Sequence, residues 1–185
     1  MSSGIEFPVE GISDGEVRLR LHADSDIPAI VAACQDPEIP RWTRVPEPYG
    51  EADAKGWLDQ ESRGRSRGEL LGLLVVDPAD DHLLGSVGIV HLDHEERRCE
   101  LGYWVAREAR GRGLATRAVR MLSEWAFENL PADRIEIHAE PENAASRRVA
   151  ERVGFRFEGV LRSYIVNKGV RRDAASYSLL RGELR

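Results

Sequence analysis

Leu101-Gly102-Tyr103-Trp104-Val105-Ala106-Arg107-Glu108-Ala109-Arg110-Gly111-Arg112-Gly113-Leu114-Ala115 is the stretch that decides the fold. Its first part has the aromatic and β-branched character of a strand. The Gly111 and Gly113 turn breaks that strand, and Gly111 to Leu130 follows as a helix, because Leu114, Ala118, Met121, Leu122 and Trp125 recur at helical spacing. A strand feeding through glycines into a long helix leaves unpaired amides at the helix start, where the dipole favours an anion. Glycine lets backbone approach that anion with no Cβ in the way. Arg110 and Arg112 add charge suited to phosphate oxygens. The local physics therefore points to a phosphate or pyrophosphate site. It is neither a Walker loop, since no Gly-Lys-Ser/Thr follows, nor a dinucleotide fingerprint, since the third glycine is missing. Taken alone, the two glycines describe a tight turn with exposed arginines equally well.

Downstream of Pro131, Arg134 to Ala139 reads as a strand, with Ile135, Ile137 and Ala139 on one face and Glu136 and His138 on the other. Glu140 continues the polar face. Asn143 to Val153 reads as a helix closed by Gly154, and Asn143 and Ser146 are spaced to face one point at its start. In isolation Asn143 is equally an ordinary helix cap. Two final strands, around 155–161 and 173–180, flank a hairpin through Asn167-Lys168-Gly169.

Upstream, Val17, Leu19 and Leu21 alternate with polar residues as a half-buried strand, and Asp24 and Asp26 open a helix bearing Ile27, Ile30, Val31 and Cys34. Residues 36–50, with Pro37, Pro40, Pro46 and Pro48, read as a loop carrying Trp42 and Tyr49, and an amphipathic helix follows over 51–62. Strands are expected over 69–76, 83–92 and 99–105, with a polar turn at His94 to Arg97. Residues 1–15 are expected to be a flexible lead-in, and 16–185 a single mixed α/β domain.

The chain has 185 residues and a formal charge of −6, with 42% hydrophobic and 31% charged residues. That balance fits one globular domain rather than a disordered chain. Net acidity weighs against general nucleic-acid binding. The basic set Arg107, Arg110, Arg112, Arg117 and Arg120 lacks aromatic interleaving, so no nucleic-acid partner is expected. The longest apolar run, Leu70 to Val76, is too short to cross a bilayer, and no secretory signal is visible. Cys34 and Cys99 show no metal-ligand spacing, so no metal site is expected, and a reducing cytoplasm is the expected compartment.

Arg110-x-x-Gly113-x-Ala115 after a Leu-Gly-Tyr-Trp-Val strand, then Asn143-x-x-Ser146 and Gly154-Phe155, resembles the GNAT superfamily of acetyl-CoA-dependent N-acetyltransferases. Gly159-Val160-Leu161-Arg162 and Arg172-Asp173 narrow the resemblance to the branch of the ribosomal-protein-alanine N-acetyltransferases. The resemblance runs from about Val17 to Leu180. It implies an α/β (α+β) fold: a mixed, mostly antiparallel sheet of about seven strands, splayed between strands 4 and 5 and flanked by about four helices. It implies acetyl-CoA as co-substrate, with Arg110, Gly111, Arg112, Gly113, Leu114 and Ala115 around the pyrophosphate. Tyr103, Trp104 and Val105 would line the pantetheine arm, Asn143 would bind it, and Ser146 would lie near the sulfur.

Transfer to an amine needs a neutral nucleophile, and an α-amine (pKa about 7.7–8.0) is closer to neutrality than lysine (about 10.4). A carboxylate or imidazole can take its proton, and Glu100 and His138 are the candidates. The carbonyl oxygen needs a donor, for which the amide near Val105 is placed. Ser146 would supply the leaving thiolate with a proton. Trp42, Tyr49 and Tyr164 are candidate acceptor-pocket residues, although Trp42 and Tyr49 equally describe a hydrophobic plug. Nothing marks a base beside Cys99, so direct transfer in a ternary complex is expected. The acceptor is read as a protein N-terminal α-amine or, alternatively, as an amino acid, polyamine or aminoglycoside-like amine. A non-catalytic acyl-CoA sensor is the other class. The final hairpin is compatible with a homodimer.

Overall fold

The computed structural model describes residues 4–184. Eight strands form one sheet: β1 (Ile12–Ser13), β2 (Arg18–Arg20), β3 (Leu71–Val76), β4 (Leu83–Asp93), β5 (Arg98–Val105), β6 (Arg134–Ala139), β7 (Arg156–Asn167) and β8 (Val170–Leu180). Their order across the sheet is β1-β2-β3-β4-β5-β6-β8-β7, and every pairing is antiparallel except β5 with β6. Five α-helices accompany them among the described residues: α1 (Ile27–Ala33), α2 (Glu38–Trp42), α3 (Glu51–Ser66), α4 (Leu114–Asn129) and α5 (Ala144–Val153).

Strand alternation sorts the side chains into two cores. Leu71, Leu73, Val87, Ile89, Leu101, Ile135 and Ile137 face α4 and α5, where Ala118, Val119, Leu122 and Ala126 pack on them. Leu74 and Val76 face the opposite layer, against Ile30, Tyr49, Ala54 and Leu58. The helix ends follow from sequence. Gly154 takes φ 111°, and the Phe155 amide reaches back to the Ala150 carbonyl at 3.0 Å, which closes α5.

The parallel contact between β5 and β6 has three rungs, Arg98 with Arg134, Cys99 with Ile135 and Glu100 with Glu136. Beyond them the strands separate, so the expected splay falls between the strands where it was expected. The backbone direction there can be read from the β4 register. The Ala106 amide donates to the Leu84 carbonyl at 2.9 Å, so Trp104 and Gly102 also turn their backbone groups toward β4. Tyr103 and Val105 turn theirs the other way, into a gap where β6 no longer pairs.

Several elements differ from the sequence reading. Residues 36–50 are not wholly loop: Glu38–Trp42 makes a short helix, because Pro37 and Pro40 sit within its first turns, where proline is tolerated. α3 runs to Ser66 rather than 62, and α4 starts at Leu114 rather than Gly111, since Gly111 and Gly113 hold φ of 77° and 75°. β7 and β8 are much longer than expected, joined by a two-residue Lys168-Gly169 turn with both φ positive. A register shift between Leu161 and Ile165, with Ser163 at φ 56°, breaks β7 locally. The lead-in also differs. Ile5 and Phe7 are core residues, Phe7 meets Trp125 edge-on with centroids 5.0 Å apart, and β1 pairs with β2. Apolar anchors at 5 and 7 offset the cost of ordering this segment, a signal masked by its Gly and Ser content. Residues 1–3 and 185 lie outside the described residues.

Candidate active site

A cleft of about 1120 Å³ runs through the gap between β5 and β6 and reaches both faces of the sheet. At one end lies the loop that opens α4. The amides of Gly111 to Thr116 donate to no protein group among the described residues, and Gly111, Gly113, Leu114, Ala115 and Thr116 line the cleft. Free amides at a helix start are the local geometry that an anion site needs. The arginines of this loop are arranged differently from expectation. Arg110 Nη2 contacts Asp36 Oδ2 at 2.5 Å while its Nε donates to the Val105 carbonyl at 3.1 Å, so its charge already has a partner. Arg112 is exposed and does not line the cleft. Arg148 and Arg152 do, from successive turns of α5. They went unread, although they share a helix face with Ala145 at the i, i+3, i+7 spacing.

Midway, Tyr103 and Ser146 meet across the gap on the α4/α5 face. The phenol oxygen lies 2.8 Å from Ser146 Oγ and donates to the Ser146 carbonyl at 3.1 Å. Burial pushes the Tyr103 phenol up to about 12, which Ser146 opposes only in part, so it stays a neutral donor. Asn143 caps α5, its Oδ1 accepting from the Ser146 amide at 3.1 Å, and still lines the cleft. Trp104 points to the opposite face from Tyr103, and its backbone is committed to β4, so only its side chain lines the cleft.

On that opposite face, at the vertex of the fork, Glu100 and His138 come together. His138 Nδ1 stands 3.5 Å from Glu100 Oε2, with side chains 4% and 29% exposed. Nδ1 is buried and makes no hydrogen bond of good geometry. Tyr164 lies over the imidazole, ring centroids 4.9 Å apart, because the break in β7 re-aims it. Glu136, the other acid on this face, is engaged by Arg134 at 2.7 Å and by Arg98 at 3.4 Å. Tyr49 is buried in the second core yet borders the cleft, and Trp42, whose indole donates to Glu38 at 3.1 Å, stands at its mouth. Both cysteines are free and buried, and burial pushes each thiol up to about 12, which suits packing rather than nucleophilic attack.

One acidic residue escaped the sequence reading altogether. Glu61 of α3 lies against Gly72 so closely that a Cβ there would stand 2.5 Å from Glu61 Oε2. Lost hydration pushes its carboxyl up to about 7, and the Trp57 side chain and the Gly72 amide draw it back only in part. The folded value lies above the ordinary 4.5, so the native state holds the proton more tightly than the unfolded chain. Stability is therefore full below pH 4.5 and falls as pH rises toward 7. At pH 8, Glu61→Gln is expected to raise the unfolding free energy by about 2 kcal/mol, with little difference at pH 4, as urea denaturation at the two pH values would show.

The cleft thus has a carboxylate–imidazole pair on one face, a hydroxyl pair on the other and free helix-start amides at one end, with the partnerless edge of Tyr103 and Val105 between them.

The comparisons with known proteins agree with this geometry. Residues 16–156 match the acetyltransferase (GNAT) domain family. A Bacillus subtilis (strain 168) protein named "Putative ribosomal N-acetyltransferase YdaF" is 41% identical over 104 residues, 56% of this chain and 57% of that protein. The match thus spans little more than half of that relative's length. An uncharacterized N-acetyltransferase of Bacillus licheniformis, p20, is 30% identical over 80% of this chain and 83% of its own. Among solved structures, Mycobacterium smegmatis RimJ in complex with CoA-disulfide superposes with a TM-score of 0.82 at 26% identity, covering 92% of this chain and 85% of that one.

Proposed function

The chain belongs to the acetyltransferase (GNAT) domain family, and on that premise we propose that it moves an acetyl group from acetyl-CoA to the α-amine of a protein N-terminus. The observation that carries this reading is the fork itself: a strand edge with no partner strand at Tyr103 and Val105, between the free amides at the start of α4 and a Glu100–His138 pair. Acetyl-CoA, when bound, supplies an acetyl group already activated as a thioester.

The chain's own residues divide the remaining work. Amides from Gly111 to Thr116 hold the pyrophosphate, with Arg148 and Arg152 adding positive charge at that end. The backbone groups of Tyr103 align the pantetheine arm, and the Val105 amide, whose own carbonyl is taken by Arg110, is available to the thioester carbonyl oxygen. Glu100 and His138, on the acceptor face, take the proton that the ammonium must lose before it attacks. Ser146, hydrogen-bonded to the neutral Tyr103 phenol, stands on the other face to protonate the leaving sulfur.

A polypeptide acceptor is supported by a second cavity of about 680 Å³ between α2 and the β7–β8 hairpin. It shares Trp42, Glu140 and Asn167 with the main cleft, giving a chain a route outward. The relative named for ribosomal acetylation points the same way.

The test is thiol release from acetyl-CoA over three acceptor sets: peptides with a free α-amine, Nα-blocked lysine peptides and small amines. Release with the first set is expected. Release with small amines alone would move the acceptor to that class. Donor binding with no release from any set would favour a sensor.

A further inference from the structure

Charge is distributed unevenly along the cleft. Arg110, Arg148 and Arg152 stand at the donor end and Arg44 lies on the loop between α2 and α3, whereas the lining residues of α3, β3 and β4 themselves include no lysine or arginine. What α3 contributes there is Asp53, Trp57, Gln60 and Glu61. Glu61 Oε2 is buried and makes no hydrogen bond of good geometry among the described residues, and although the Trp57 side chain and the Gly72 amide lie near the carboxyl, no cation faces it, an expensive state for a carboxylate inside a cavity. Its position is fixed by the sheet. Gly72, Gly88 and Gly102 are directly paired across β3, β4 and β5, and all three line the cleft, so the row carries no side chain of its own, and Val90, whose Cγ1 lies 2.8 Å from where a Gly102 Cβ would stand, borders it at the β5 end. Gly72 is two strand spacings, about 10 Å, from Gly102. That separation is too long for Glu61 to touch the reacting amine, and it suits a second group on the same acceptor.

We propose that Glu61 binds a positively charged group of the acceptor, such as the side chain of a basic first residue, at the end of the cleft remote from the donor. The proposal rests on the acetyl-transfer reading of the same cleft. An incoming cation gives the buried carboxylate the counter-charge that the protein itself does not provide, beside the half-buried Trp57 side chain that also lines the cleft. Preferred acceptors are then dications: the ammonium to be acetylated and a second cation about two strands away.

The pair that tests this is a peptide beginning with arginine and the same peptide beginning with citrulline, which removes the charge and leaves one acetylatable amine. The wild-type protein is expected to favour the arginine peptide by about tenfold or more in kcat/KM, mainly through KM. Glu61→Gln should abolish that preference while leaving the citrulline peptide and acetyl-CoA affinity unchanged. Gly72→Ala, whose methyl displaces the Glu61 carboxylate, should do the same by an independent route. An unchanged arginine-to-citrulline ratio in Glu61→Gln, or an equal fall for both peptides, would overturn the proposal.

Calorimetry with 1,6-diaminohexane and hexylamine reads the same property without turnover. If no peptide releases thiol, the acceptor reading fails, and this titration still decides the role of Glu61. Tighter diamine binding that is lost in Glu61→Gln supports it, and equal affinities overturn it.

Discussion

Gly113→Trp is expected to lower acetyl-CoA affinity by at least about a hundredfold while the protein stays folded. Gly113 caps α4 at φ 75°, lines the cleft, and stands among amides with no protein acceptor. A Cβ built there meets no protein atom within 4 Å, and the position is exposed, so a larger side chain leaves by way of open space rather than through the core. The backbone cost of a non-glycine residue in this region is about 1–2 kcal/mol, which a domain with two cores can absorb. The indole would instead fill the space above the helix start, where the amides and the helix dipole must come within hydrogen-bond distance of phosphate. Titration calorimetry measures the loss, and a melting curve shows whether the fold survives. Undiminished affinity in a folded variant would mean that these amides are not the donor's anchor.

His138→Asn should reduce kcat by roughly 10²- to 10³-fold at pH 7.5 with acetyl-CoA affinity preserved. The imidazole is almost fully enclosed, with Glu100 at 3.5 Å, Tyr164 over its face and its Nδ1 making no hydrogen bond of good geometry. Asparagine keeps a polar group in that space but cannot relay a proton. Glu100→Gln should produce a loss of similar size. If the two act as one proton-accepting unit, the double variant loses little more than either single one. Multiplying losses would instead assign them separate duties, and a His138→Asn variant with normal kcat would remove the pair from the chemistry.

Sequence and structure agree best where a local rule determines a local shape. Gly111 and Gly113 announce a backbone that only glycine adopts easily, and both hold positive φ. Period-two alternation set His138 with Glu136 on the polar face of their strand, and the structure brings His138 to Glu100 because β5 and β6 run parallel there. Asn143 was legible as a cap and is one, whatever else it binds. What stayed hidden depends on distant packing. Glu61 looks like one more solvated charge on an acidic helix, and nothing within α3 shows that Gly72 removes the side chain that would have kept it out. Arg110 carries the phosphate-binding pattern, yet Asp36, far away in sequence, already holds its guanidinium. The length of the β7–β8 hairpin was illegible because β7 is an exposed edge whose side chains show no buried alternation.

The three rungs joining β5 to β6 have a mechanical consequence. They form the only backbone ladder between the two halves of the sheet among the described residues, and they lie at one end of the gap. Elsewhere β5 is tied across the gap through α5, as by the contact between Tyr103 and Ser146. The sheet is therefore stitched along its centre by one short seam, and the layer beneath it carries the rest of the load: α4 and α5 pack as a single core on strands of both halves, which is what lets the gap stand open without parting the domain.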